Sequence, residues 1–176
     1  TVDGAICAPR PLQGTVAPGS AANGIPLWVA GGGEKKTLRI AAEDADYTNF
    51  DGAPEGFAAK SEILRGHCED VGREFGEITR SANYNVVIGE TETDVEDRLQ
   101  WMAEHFRRAG VPERILDDHL ASMRTQPAVG TIEQVIERLR GLQALGMTYA
   151  ICYFQEAAYD TTGITTFENA VIPELD

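Results

Sequence analysis

The chain has 176 residues, 43% hydrophobic and 24% charged, with a formal net charge of -13 at pH 7. The acidic surplus excludes a nucleic-acid role built on a basic patch, and the length suits one domain, or part of a larger one, with a real core. No apolar run approaches the ~20 residues of a membrane span and no signal peptide is visible, so a cytoplasmic protein that contacts no membrane is expected.

Residues 1–25 carry turn signals throughout, APRP and APGSAANG among them, and are expected to form an extended arm or loop with a short strand from Val2 to Cys7. Residues 26–176 form the domain proper. It begins with the most informative stretch of the chain, PLWVAGGGEKKT, in which a buried strand, Leu27 to Ala30, stops at three glycines before a helix opens at Glu34. Bare backbone N–H groups at a helix N-terminus favour an anion such as phosphate, and glycine lets the backbone approach it closely. Thr37 brings a hydroxyl near the first turn, and Lys35 and Lys36 add positive charge. A plain turn and a solvated helix face account for the same residues equally simply.

The first helix is expected from Glu34 to Ala45, with Leu38, Ala41, Ala42 and Ala45 on one face. A short strand follows at Tyr47 to Phe50. Pro54 suits the first position of the next helix, whose Phe57, Leu64, Cys68 and Val71 share a face and which ends near Gly72. Ala82 to Ile88 has strand character. Thr93-Asp94-Val95-Glu96 resembles a capping box opening a helix with Val95, Leu99, Met102 and Phe106 on one stripe. Gly110 stops it, and Pro112 starts another helix through about Met123.

Gln126 to Gly130 reads as a loop. Thr131-Ile132-Glu133-Gln134 is a second capping box. Its helix directs Ile132, Val135, Ile136, Leu139 and Leu142 toward a core and ends at Gly146. Thr148 to Phe154 is the clearest strand, and a last helix spans about Thr162 to Ile172.

Cys7, Cys68 and Cys152 have no paired spacing and read as free thiols in a reducing compartment. His67, His105 and His119 lie far apart, so no metal site is expected. The order of elements is strand–helix four times, which implies an α/β fold with a parallel sheet. A doubly wound sheet and a fragment of a (β/α)8 barrel, typically ~250 residues, both satisfy it.

Three segments carry a resemblance: PLWVAGGGEKKTLRIAAEDADYTNF, GTIEQVIERLRGLQALGMTYAICYF and the terminal FENAVIPEL. Together they resemble the C-terminal half of the luciferase-like monooxygenase superfamily, and more closely its branch of oxidoreductases that use the deazaflavin coenzyme F420. The resemblance covers about Asp3 to Leu175. It implies the fifth to eighth strands of a TIM (β/α)8 barrel, with the first half absent from this chain, which starts at Thr1 rather than Met. It further implies a cofactor phosphate held by Gly31, Gly32, Gly33 and Thr37 with Glu34 adjacent, and ligand proximity for the strand-end residues Asn49, Glu90 and Tyr153. The cofactor implied is F420, with FMN as the alternative in a monooxygenase of the same superfamily, and the substrate a small molecule whose identity the sequence does not give. No catalytic acid or base is singled out. A half-barrel would leave strand edges and an apolar inner face partly open, with Trp28, Cys152 and Phe154 affected. The partner is then a separate N-terminal half-barrel or a second copy in a homodimer, unless the chain is part of a longer protein. A non-catalytic half-barrel acting as an assembly module is the remaining alternative.

Overall fold

The structure, a computed structural model, describes residues 25–175. The expected arm, including the strand from Val2 to Cys7, lies outside the described residues except for Ile25. In chain order the elements are β1 (Trp28–Ala30), α1 (Thr37–Asp44), β2 (Tyr47–Asn49), α2 (Pro54–Val71), β3 (Thr79–Asn85), β4 (Val87–Gly89), α3 (Glu92–Arg108), α4 (Glu113–Arg124), β5 (Val129–Thr131), α5 (Ile132–Ala144), β6 (Tyr149–Tyr153) and α6 (Thr162–Thr166). The helix expected to run on to Ile172 changes to π geometry over Phe167–Val171 and ends in a 3-10 turn at Ile172–Glu174.

Four strands form one parallel sheet in the order β1-β2-β3-β6, and β4 and β5 form a second, two-stranded parallel sheet. The single strand expected over Ala82 to Ile88 is therefore divided. Val86 N–H still donates to Tyr153 O on β6 (2.8 Å), whereas Val87 N–H donates to Ala128 O (3.1 Å). One run of chain thus serves two sheets. Its partner β5 begins within the segment expected to be a loop and ends on Thr131, the first residue of the expected capping box. Three residues ending in Gly130-Thr131 are too short to show alternation, and the strand exists only because β4 offers it a ladder.

The helices obey local rules. Pro54 opens α2, and Gly72 ends it in the left-handed conformation at φ 70°. Thr131 and Gln134 close the capping box of α5 as expected. The box of α3 lies two residues earlier than expected. Thr91 is the N-cap: its Oγ1 accepts from Asp94 N–H (3.2 Å), and Asp94 Oδ2 accepts from Thr91 N–H (2.8 Å). The sequence TETDVE offers two threonines with an acid three places on, and β4 ending at Gly89 decides for the first.

All the helices that cover the main sheet pack on the same face. Leu38, Ala41 and Ala42 of α1, Phe57, Leu64 and Cys68 of α2, and Val135, Leu139 and Leu142 of α5 join Ala82 and Tyr84 of β3 in one buried cluster. Each large apolar side chain so buried contributes roughly 1.5–3 kcal/mol. A second cluster, Val87, Val95, Leu99, Met102, Met123 and Val129, sits under β4 and β5.

Among the described residues, no helix lies over the other face of the main sheet. Side chains alternate along a strand, so Trp28, Tyr47, Ser81, Asn83, Tyr149 and Tyr153 share that face. Trp28, Tyr149 and Tyr153 are exposed by 42%, 46% and 53%. Trp28 stacks on Tyr47 with ring centroids 4.6 Å apart and meets the edge of Tyr149 at 5.2 Å. β1 and β6 are three strand spacings apart, about 14 Å on a flat sheet, so contact between their rings requires the sheet to curl toward the bare face.

Cys152 and Phe154 have the opposite parity from Tyr153. They pack on the helix side rather than on the open one as expected, and burial pushes the Cys152 thiol pKa up to about 11.

The position of the α3 cap gives a direct test. Thr91→Ala is expected to destabilise the protein by about 1 kcal/mol and Thr93→Ala by much less, read as a shift of the urea midpoint. Equal shifts would contradict the cap at Thr91.

Candidate functional site

Parallel strands end at a common edge. The C-terminal ends of β1, β2, β3 and β6 therefore place the glycine turn, Asn49, Asn83 to Asn85 and Tyr153 along one rim. The turn is tied to that rim by Gly31 N–H, which donates to Asn49 O at 2.7 Å. Gly31 has φ 118°, a backbone conformation that side chains rarely tolerate. The N–H groups of Gly32 and Gly33 make no hydrogen bond among the described residues.

The first helix begins at Thr37 rather than at Glu34, because residues 34–36 form turns. Thr37 thereby occupies the first helical position, and its hydroxyl reaches back over the glycines. A Cβ on Gly33 would stand 2.7 Å from Thr37 Oγ1, whereas one on Gly32 would meet only the Lys60 side chain, at 3.4 Å. Gly33, rather than Gly32, is thus the crowded position.

A further positive charge reaches the turn from a residue the sequence does not single out, beside Lys35 and Lys36 of the turn itself. Lys60, on α2, donates to Glu34 Oε1 at 2.8 Å, and its ammonium lies against Gly32. The Lys60 ammonium beside Glu34 holds that carboxyl below the usual carboxylate range. His67 Nε2, also on α2, donates to Glu34 O at 2.7 Å. No spacing within the sequence signals this arrangement, because α2 reaches the turn only after the chain has passed through β2.

Beside the turn is a set of side-chain amides. Asn49 Nδ2 donates to Ser81 Oγ (3.1 Å) and Asn83 Oδ1 (2.8 Å). Asn85 N–H donates to Gln126 Oε1 (3.0 Å), and Gln155 Nε2 donates to Asn85 Oδ1 (2.9 Å). Gln155 Oε1 is buried and accepts no hydrogen bond among the described residues. Asn83, Asn85, Gln126 and Tyr153 line a cavity of about 470 Å³. Neutral amides both donate and accept, which suits a heterocycle edged with carbonyls and N–H groups.

Of the three strand-end residues, Asn49 and Tyr153 lie on this rim. Glu90 does not, because it follows β4 and lines a different cavity. Among the described residues no group of three or more His, Cys, Asp or Glu could hold a metal ion, and no helix is long and apolar enough to cross a membrane.

The family described as luciferase-like monooxygenase matches residues 1–149, and the chain belongs to that family. No curated protein sequence matches the chain. Among solved structures, coenzyme F420-dependent tetrahydromethanopterin reductase from Methanopyrus kandleri aligns with a TM-score of 0.62 at 18% identity, covering 86% of this chain and 51% of that one. Riboflavin lyase RcaE, solved with modified FMN and riboflavin, aligns with a TM-score of 0.65 at 17% identity over 87% of this chain and 43% of that one. An F420-dependent secondary alcohol dehydrogenase in complex with an F420–acetone adduct aligns with a TM-score of 0.61 at 14% identity over 89% and 51%. The chain therefore spans about half the length of the solved proteins it resembles, and the likeness shows a shared α/β fold.

The glycines differ in what they do for the fold. Gly31→Ala is expected to destabilise by about 1–2 kcal/mol through its positive φ. Gly32→Ala should fall within about 0.5 kcal/mol of the parent, since the flexible Lys60 side chain can move aside. Urea unfolding of the two variants measures both, and equal stabilities would contradict the geometry of the turn.

Proposed function

We propose that this chain is the C-terminal half of a (β/α)8-barrel oxidoreductase and that it holds the phosphate end of coenzyme F420 at the glycine turn. The observation that supports it most is the shared rim. The turn, with two unengaged N–H groups and the Lys60 ammonium, lies on the same sheet edge as the amide cluster and opens toward the bare, curled face. Ligands of parallel-sheet enzymes bind at that edge. F420 stands in the names of two of the structural neighbours.

The residues present fit such a group. Gly33 leaves the space into which Thr37 directs its hydroxyl, and the backbone N–H groups of Gly32 and Gly33 have no acceptor among the described residues. Lys60 is free to move from Glu34 to a phosphate at little cost, because exposed ion pairs contribute little. Glu34 acts in this reading as the counter-ion that keeps Lys60 at the turn. Asn83, Asn85, Gln126 and Gln155 would orient the ring by its polar edge, with Tyr153 limiting water from the rim. When bound, F420 supplies hydride transfer, and the protein's part is positioning and exclusion of water.

A partner half-barrel, a homodimer mate or a longer parent chain would cover Trp28, Tyr47 and Tyr149. A monodisperse monomer of this chain alone, native and stable, would overturn the need for such a cover. FMN is the second reading, favoured by the FMN named with riboflavin lyase.

Titration of the complete barrel separates the two cofactors. F420 is expected to bind, with Gly33→Ala weakening it about tenfold by displacing Thr37, and Lys60→Met weakening it a few-fold. Tight binding of FMN but not F420 would select the alternative. If neither bound, or if both folded variants bound F420 like the parent, the proposed clamp would be wrong.

A further inference from the structure

Residues of α3 and of the segment after β6 line a second, open cavity of about 590 Å³, which shares no lining residue with the glycine turn. Its charged lining is one-sided. Glu90, Asp94, Asp97, Glu156 and Asp160 contribute five carboxyl groups, and Arg98 is the cation among them. Hydrogen bonds from Thr91 to Asp94 and from Thr162 to Asp160 lower both pKa values, so both remain ionised at neutral pH.

Glu156 is the unusual member. It is 4% exposed, although it follows the last strand at the molecular surface. Arg98 Nη1 reaches its Oε1 at 3.4 Å and Asp160 Oδ2 at 3.7 Å, while Arg98 Nη2 donates to Thr162 Oγ1 at 3.0 Å. The second oxygen of Glu156, Oε2, is buried and has no hydrogen-bond partner among the described residues. A buried carboxylate oxygen left without a donor is costly. The fold also makes room for this carboxylate, since a Cβ on Gly163 would stand 2.7 Å from Glu156 Oε1.

The remaining wall is aromatic. Trp101 meets Tyr159 edge-on at 5.6 Å and stacks on His105 at 5.3 Å, which fixes the indole beside the carboxylates. Aromatic faces attract cations, most strongly once the charge is desolvated.

We infer that this cavity is a second binding site, separate from the glycine turn, for a small organic cation whose ammonium pairs with Glu156 and whose apolar part lies against Trp101 and Tyr159. An anion drawn to Arg98 would face five carboxylates. An uncharged ligand would leave Glu156 Oε2 without a charged donor. A divalent metal would need several ligands converging on one point, and the described residues offer no such group. Binding in this cavity is independent of the identity of the redox cofactor.

Benzylammonium is a suitable probe, with benzyl alcohol as its neutral counterpart, titrated calorimetrically into the full 176-residue chain at low salt. Saturable binding is expected for benzylammonium, with benzyl alcohol weaker by about tenfold or more. Glu156→Gln, which keeps the shape and removes the charge, should weaken benzylammonium by about tenfold. Trp101 emission in a Trp28→Phe background, where it is the sole indole, should change on binding. Should Glu156→Gln fail to fold, the exposed Asp97→Asn is expected to lower affinity a few-fold and to reduce its salt dependence. Equal binding of benzyl alcohol, unchanged affinity in folded Glu156→Gln or in Asp97→Asn, a silent Trp101, or displacement of benzylammonium by equimolar Mg²⁺ would each overturn the assignment.

Discussion

A parallel sheet is stable when both of its faces are kept from water. Here α1, α2 and α5 cover one face, and the other carries Trp28, Tyr47, Tyr149 and Tyr153 with no helix over it among the described residues. This asymmetry governs the rest of the molecule. It fixes which side chains of each strand belong to the core, so that Tyr84 is buried and Cys152 packs half-buried against the core while their neighbours Asn83 and Tyr153 are exposed. It also leaves the strand ends open on the side where the glycine turn and the amides gather. The aromatic stack at the opposite end of the strands recovers some apolar contact on the bare face, but three rings do not replace a layer of helices.

The molecule holds two electrostatic environments of opposite sense. At the turn, one lysine from α2, checked by Glu34, stands beside unengaged backbone N–H groups. Behind α3, a single arginine is shared among carboxylates and an oxygen of Glu156 is left over. Both arrangements rest on a long side chain crossing between elements: Lys60 from α2 to the turn, and Arg98 from α3 to the segment after β6. The net charge of -13 conveys neither.

Much of the fold is legible because local rules act alone. Pro54, Gly72, the Thr131 box and the apolar stripe of α5 stand where periodicity and capping place them, and β6 is a strand by composition. The failures share a different cause. Two threonines compete for the α3 cap, and β4 settles the choice. β5 is too short to carry a pattern and depends on a partner distant in sequence. The glycine run marks the turn, yet which glycine is crowded follows from the rotamer of Thr37, and Lys60 joins the turn only through the packing of α2. The alternation in Asn83-Tyr84-Asn85 shows two amides sharing a face, whereas Gln126 and Gln155 join them from separate loops. Contacts that need tertiary closure leave no local trace.

The division of one strand between two sheets at Val86 also bears on how the chain assembles. β3 must wait for β6, whose pairing closes a loop containing α3, α4, β5 and α5, and loop closure costs more entropy as the loop grows. The β4–β5 pair with the Val95 and Leu99 side of α3 closes a shorter loop and has its own cluster of apolar side chains. Formed early, that pair would shorten the effective loop and deliver α5 and β6 beside the waiting edge of β3. The small second sheet thus divides one long-range closure into two of shorter sequence separation.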